Sequence, residues 1–460
     1  MESAMANVDL GKYRRFVQIF WDPEPINDTA LDQPVWCLGR AYSLSEKRDT
    51  GSLQRASSPS DQPFQDFSIE RILPNPNPQK ETTTTTSTDT EAQEREIHSS
   101  LESLSSSFMY ESQNATASGW PVAFMEDFKA RFGMTYRSSF GIIHKSDNPR
   151  AASSLSLSMR IKGQLKEQNG FTSDSGWGCM IRSGQSLLAN TMSIMDLGRD
   201  WRRGKLPDEE RRLISQFADD SRAPYSIHNF VRCGEAICGK YPGEWFGPSA
   251  TARCIQELVN SRGLPLRVYS TGDSPDVYED CFMKIANLDG KCFHPTLILV
   301  GTRLGIDKIT PVYWEAVIAS LQMAQSVGIA GGRPSSSHYF VGSQGHFLFY
   351  LDPHHTCNAL PFHSDISHYG VEDIDTCHTT RLRRIHVREM DPSMLIGFLI
   401  KSQEDWIEWK RRVKHVQGKT IIHVADSYPA HEVRDATGRS AIDEVEPLSD
   451  DEDLYTGDAT

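Results

Sequence analysis

From Glu46 to Ala117 the sequence turns to Ser, Thr, Pro, Gln and Asn, in runs such as PNPNPQKETTTTTSTDTEAQE and SSLESLSSSFMYESQ. Side chains of these types bury too little apolar surface to offset the entropy lost when a backbone is ordered. Structureless connections beyond about 12–15 residues are also uncommon inside compact domains. Residues 46–117 therefore read as a disordered insertion, and the fold has to be assembled from its two flanks. The first flank, 10–45, carries Tyr13, Phe16, Phe20, Trp21 and the run PVWCLGRAYS; the second runs from 118 to 425. A final stretch, 426–460, ends in AIDEVEPLSDDEDLYTGDAT and reads as a disordered, solvated acidic tail.

Charge and cysteine content narrow the class. The 460 residues hold 48 Lys and Arg against 61 Asp and Glu, a net charge of −13. Nucleic-acid affinity draws on clustered Lys and Arg that release counterions, so no nucleic-acid partner is expected. No window reaches the ~18 consecutive apolar residues of a membrane span. The start, MESAMANVDLGKYRRF, lacks the charged head and apolar stretch of a secretion signal. Nine cysteines are too sparse for a disulfide framework, so reduced thiols and a cytosolic or nuclear setting are expected.

Strand-like runs fall at 265–271, 295–301, 338–342 and 346–352, the last two joined by Ser343-Gln344-Gly345 as in an antiparallel hairpin. Helical stretches are expected at 121–132, 179–195, 207–218, 249–261, 312–324 and 392–415. Helices before, between and after a hairpin-containing sheet favour an α+β fold.

The segment FTSDSGWGCMIRSGQSLLANTMSIM holds the first candidate for chemistry. Ser173, Asp174 and Ser175 offer capping side chains, Gly176 and Gly178 bracket Trp177, and apolar residues recur at helical spacing after Cys179. That places Cys179 at a helix N-terminus, where unpaired N–H groups and the helix dipole favour thiolate over thiol. On this window alone a buried, inert cysteine is the ordinary reading. The second candidate is FLFYLDPHHTCNAL. Asp352 and His354 are two apart, so an extended backbone projects both to one side, and a carboxylate there can orient an imidazole. His355 is the rival base, facing the opposite way. A turn closing a hairpin is the bland alternative. Cys179 together with a distant Asp-Pro-His points to a thiol hydrolase.

SDSGWGCMIRSGQSLLAN followed downstream by HYFVG and LDPH resembles the autophagins, autophagy-related cysteine proteases of the papain-like superfamily. PVWCLGRAYS, TYRSSF, LGRDWR, YSIHNF, GEWFGPS and GGRPSSSHYFVG resemble autophagin segments in the same order, over about 12–45 and 118–415. The resemblance implies a papain-like α+β fold with a small accessory subdomain, its central antiparallel sheet flanked by helices and its protease domain spanning 10–45 and 118–425. It also implies Cys179 as nucleophile, His354 as general base and acid, Asp352 as orienter and Tyr136 in the oxyanion hole. Trp177 and Trp245 would lie at the groove, with Gly331, Gly332 and Pro334 in a lid that the sequence itself reads as a linker. The implied reaction cuts a ubiquitin-like autophagy modifier after its C-terminal glycine and later releases it from phosphatidylethanolamine. No metal or other cofactor is expected. The modifier, as precursor and as lipid conjugate, is the expected partner. Membrane contact would be transient and made through that substrate, with a cytoplasmic location, recruitment to preautophagosomal structures and access to the nucleus. An isopeptidase for another ubiquitin-like modifier, or an idle modifier-binding scaffold, are the alternatives.

Other signals are weaker. Cys233 and Cys238 lack a second close Cys/His pair for zinc. The clusters RLRRIHVR and WKRRVKH read as solvated faces, and neither Tyr428 nor Tyr455 has an aliphatic residue at the spacing of a modifier-docking motif.

Overall fold

The structure, a computed structural model, describes residues 24–27, 33–43, 119–155, 169–288, 290–333 and 336–429. The insertion expected at 46–117 and nearly all of the tail at 426–460 lie outside the described residues. In chain order the strands are β1 (Val35–Cys37), β2 (Arg40–Tyr42), β3 (Arg137–His144), β4 (Gly170–Ser173), β5 (Arg267–Ser270), β6 (Asp276–Tyr278) and β7 (Thr296–Arg303). They continue with β8 (Ser326–Arg333), β9 (Ser336–Gln344), β10 (Phe347–Leu351), β11 (Cys357–Asn358), β12 (Arg383–His386), β13 (Ser393–Ile400) and β14 (His423–Ala425).

A nine-stranded sheet runs β12-β10-β9-β8-β13-β7-β5, with β1 attached at β9 and β2 at β1. Its neighbours are antiparallel except for β5, which lies parallel to β7. The sheet is therefore mixed, with an antiparallel body. Its inner strands are continuous apolar runs because both faces are covered. Along β13, Leu395 and Leu399 enter one core while Met394, Ile396, Phe398 and Ile400 enter the other. Gly397 faces the first core. A Cβ there would come 2.7 Å from Val327 and 3.1 Å from Leu187, so its absence lets the helix carrying Leu187 lie close against the sheet. That helix, Cys179–Asp196, is buried on nearly every side.

A second, three-stranded sheet in the order β11-β3-β4 stitches together three distant segments: the strand after Tyr136, the strand before Cys179 and the strand after His354. These pairings are non-local, and no local pattern in the sequence announces them.

Two expectations change. The stretch 392–415 is not one helix: Ser393–Ile400 is a central strand, and Ser402 caps a separate helix, Gln403–Lys414, by accepting from the Asp405 N–H. An apolar run of seven, 394–400, fits a buried strand as well as a helix, and pairing on both sides decides it. The run GIAGGR is no linker either, since it forms β8, paired with β9 and β13. A helix at Ile227–Cys238, capped by Ser226 and closed by left-handed Gly239, was not foreseen. The hairpin is present, with β9 extending through Gln344 and the turn at Gly345 and His346.

Candidate active site

Cys179 is the first residue of its helix and is 2% exposed. The residue before it, Gly178, caps the helix without any side-chain bond, so the first amides are free to serve a ligand. A Cβ on Gly178 would fall 2.4 Å from Asp174 Oδ2. Ser173, Asp174 and Ser175, expected as caps, do other work. Asp174, fully buried, accepts from the Arg137 N–H at 2.6 Å and from Arg182 Nε at 2.7 Å. Arg182, one turn beyond Cys179, also pairs with Asp219 at 2.8 Å, and Asp219 accepts from the Leu360 N–H at 2.8 Å. Ser173 donates to the Arg137 carbonyl at 2.9 Å, and Ser175 contacts Thr356 at 3.0 Å. A buried ion-pair chain therefore holds the cysteine turn to the segments that follow Tyr136 and His354. The sequence reading missed it; the signal was an Asp five residues before a candidate nucleophile, with an Arg three residues after it.

The second half of the site begins where β10 stops at Leu351. Asp352 Oδ1 accepts from the His354 backbone N–H at 3.0 Å and lies 2.6 Å from His354 Nδ1. The pair is thus brought together by an Asx turn rather than by strand alternation. The imidazole also interacts with the Cys179 sulfur, by hydrogen bond and by charge. His355 is exposed. Arg383 Nε lies 3.9 Å from Asp352 Oδ2.

Electrostatics favour a charged pair. Burial alone would raise the Cys179 thiol, yet the hydrogen bond and charge of His354, the Ser337 N–H and the Trp245 indole outweigh it and hold the thiol below its ordinary value. Burial would likewise lower His354, but Asp352 and the sulfur raise it to about 10. Asp352 stays well below the usual carboxylate range: burial would raise it, and the hydrogen bond to His354 dominates. Both shifts favour the thiolate–imidazolium pair over the neutral thiol and imidazole.

Tyr136 is 7% exposed, its hydroxyl at the Cys179 sulfur and its ring perpendicular to His354 at 5.3 Å. Its N–H donates to the Pro353 carbonyl at 2.8 Å, which ties it to the histidine turn. Burial, then the neighbouring Cys179, push its hydroxyl pKa up, so it remains a donor. Trp245 is half-buried beside the site; its indole contributes to lowering the Cys179 thiol, while its N–H meets no hydrogen-bond acceptor at bonding geometry among the described residues.

The lid and groove expectations need correction. Trp177 does not line a groove: it is 1% exposed, donates its indole N–H to the Ser173 carbonyl at 3.0 Å and packs on Phe171. It braces the cysteine turn from below. Gly331 and Gly332 are buried strand residues of β8 rather than a loose lid, and Pro334 lies outside the described residues. A Cβ on Gly332 would lie 1.9 Å from the Ser336 carbonyl, so glycine here serves close strand approach.

His338 was also missed. It is buried, its Nε2 3.9 Å from Asp352 Oδ1, and burial pushes it down to about 3, so it is a neutral wall of the site. His338, Asp352 and His354 bring ligand-type atoms within 4.8 Å of one another. The 2.6 Å Asp352–His354 separation is a hydrogen bond, shorter than the spacing of two ligands that each hold a metal at ~2.0–2.1 Å. Cys233 and Cys238 face Cys254 on the adjacent helix.

A thiolate poised at a buried helix end against an imidazolium, on helices packed to a mixed sheet, is the chemistry of a papain-like cysteine protease. Comparison with known proteins is more specific. The model of the Peptidase C54 catalytic domain matches residues 121–412, and the chain belongs to that family. It is 58% identical over 469 residues to the cysteine protease ATG4 of Gibberella zeae, covering 98% of each chain. It is 56% identical over 460 residues to a probable cysteine protease ATG4 of Cryphonectria parasitica, covering 97% of this chain and 96% of the relative. A probable cysteine protease of the same name from Botryotinia fuckeliana is 57% identical over 452 residues, covering 98% and 99%. The chain is an autophagy-related cysteine protease.

Proposed function

We propose that Cys179, His354 and Asp352 form the catalytic set, and that the enzyme hydrolyses the amide after a glycine near the C-terminus of a ubiquitin-like autophagy modifier. The observation that carries this reading is the continuous line from the Asp352 carboxylate through His354 to the Cys179 sulfur. The names of the relatives support the autophagy setting.

In the first step the thiolate attacks the glycine carbonyl. The oxyanion meets the Tyr136 hydroxyl and the uncapped amides at the start of the Cys179 helix, donors held in place before charge develops. His354 passes its Nε2 proton to the departing amine, leaving a thioester on Cys179. Water then attacks the thioester as His354 takes its proton, and the glycine carboxylate leaves. Asp352 keeps the ring in register throughout. The departing amine is a peptide nitrogen during maturation of the precursor and phosphatidylethanolamine during deconjugation, so one site performs both. Membrane contact follows from the lipid-bound substrate. Work in the cytoplasm and at preautophagosomal structures, with access to the nucleus, belongs to the same reading.

The test is incubation with a C-terminally extended autophagy modifier and with precursors of other ubiquitin-like modifiers, products weighed by mass spectrometry. Cleavage after glycine in the autophagy modifier alone is expected, and it should vanish in Cys179→Ser. Preferential cleavage of another modifier would make the protein an isopeptidase of that pathway. Intact precursors throughout would leave a binding scaffold.

A further inference from the structure

The segment GGRPSSSH does more than its glycine content suggests. β8 and β9 run side by side to the edge of the site, with Arg333 opposite Ser336 and Gly332 opposite Ser337. The missing side chain of Gly332 is what allows the Ser336 carbonyl so close to β8. Successive residues of a strand face opposite ways, and the two serines use both sides. Ser337 is buried; its hydroxyl lies 3.0 Å from Ser183, 3.2 Å from the Met180 sulfur and 3.3 Å from the Gly331 carbonyl. These contacts pin β9 to the Cys179 helix, and the Ser337 N–H points at the Cys179 sulfur. Ser336 faces the other way, and its hydroxyl is 3.2 Å from His354 Nε2.

His354 Nε2 carries a single hydrogen. The opposite ring nitrogen is committed to Asp352 at 2.6 Å, so in the imidazolium state the Nε2–H is shared between the sulfur and the Ser336 oxygen. We propose that Ser336 is a positioning residue for His354: it accepts part of the Nε2 hydrogen bond in the free enzyme and yields that place when the substrate's leaving nitrogen arrives. This rests on the reading of Cys179 and His354 as the catalytic pair. The leaving amine must reach the same nitrogen to receive its proton, so the Ser336 oxygen marks the approach that the amine, and later the hydrolytic water, must use. Holding the ring there keeps it from turning into solvent on the side that Cys179 does not occupy.

The sign of the effect follows from the sharing. Without the Ser336 oxygen the Nε2–H goes wholly to the thiolate, and a charge-assisted bond strengthens. The thiolate then forms at lower pH. The imidazolium, stripped of one acceptor, loses its proton at lower pH as well, so the window in which the charged pair exists moves down as a unit. The two inflections belong to the pair rather than to either residue.

The experiment measures iodoacetamide alkylation against pH in the full chain, with mass spectrometry to identify the modified cysteine, for the wild type, Ser336→Ala and Ser336→Thr. Ser336→Ala should move both inflections down by about half a pH unit, roughly threefold in thiolate population on the acid limb. Ser336→Thr, which keeps the hydroxyl and suits a strand, should restore the wild-type profile. A general loosening of the site would lower alkylation at every pH and would not be rescued by threonine. Inflections of Ser336→Ala that coincide with the wild type, at an unchanged melting temperature, overturn the proposal. So does a Ser336→Thr profile that follows alanine. Should alanine prevent folding, a threonine profile displaced from the wild type also overturns it, and a coincident one supports it. Alkylation at a cysteine other than Cys179 would instead bring down the functional reading beneath it.

Discussion

Replacing His354 with alanine tests whether the helix end or the imidazolium ionises the nucleophile. His354 is raised from 6.5 to about 10, a preference of about 5 kcal/mol for the cation at 1.36 kcal/mol per pH unit. A raised pKa means that the cation is complete below the ordinary imidazole value and is lost only as pH passes about 10. Asp352 and the Cys179 sulfur both contribute to that preference. If half of it is coupling to the sulfur, His354→Ala lowers the neutral-pH thiolate population about 60-fold. What remains in the variant is burial, the largest influence on the thiol, opposed by the Ser337 N–H and the Trp245 indole, and the balance leaves the thiol above its ordinary value of about 8.5. Alkylation at Cys179, followed by mass against pH, should show a plateau across neutrality to about pH 10 in the wild type. The variant should show one rise, centred above pH 8.5. A neutral plateau that survives in His354→Ala would show that backbone dipoles alone ionise the sulfur, and the ion-pair argument would fail.

Three further outcomes are expected. Tyr136→Phe should lower kcat by ~10²–10³ with KM nearly unchanged, measured on an extended modifier, because one oxyanion donor is lost; equal kcat would take the hydroxyl out of the reaction. Asp174→Ala leaves Arg182 short of a partner in a buried setting, a loss of ~3–5 kcal/mol, visible as a lower denaturant midpoint and reduced turnover. Gly332→Ala forces a Cβ against the Ser336 carbonyl, so the β8–β9 end shifts. Its activity should fall while far-ultraviolet circular dichroism stays unchanged.

The parts of the site that were legible in the sequence are those whose geometry is local. Glycines followed by an apolar periodic run put Cys179 at a helix end, although the polar residues read as its caps serve other partners, and Asp-Pro-His makes its own turn within three residues. Tyr136 and Trp245 came into view only through the family resemblance, because an aromatic among apolar neighbours looks the same whether it packs or donates. The ion-pair chain of Asp174, Arg182, Asp219 and Arg137 was hidden for a different reason: its members lie up to 82 positions apart, and only the fold pairs them. Glycine misled at β8, where Gly331 and Gly332 lower strand propensity yet permit close packing with β9. Length misled at 392–415, where two elements of opposite type follow each other with only a two-residue break.

Tyr42, at the last strand before residues 46–117, and Trp120, just after them, both pack against the Phe124 ring, at 6.0 and 5.9 Å. The chain thus departs and returns at one aromatic anchor. For a tether closed at fixed ends, doubling its length costs only ~0.6 kcal/mol. Both ends of the seventy-odd intervening positions are fixed on the same phenylalanine, so their number can change without moving the strands that carry the site.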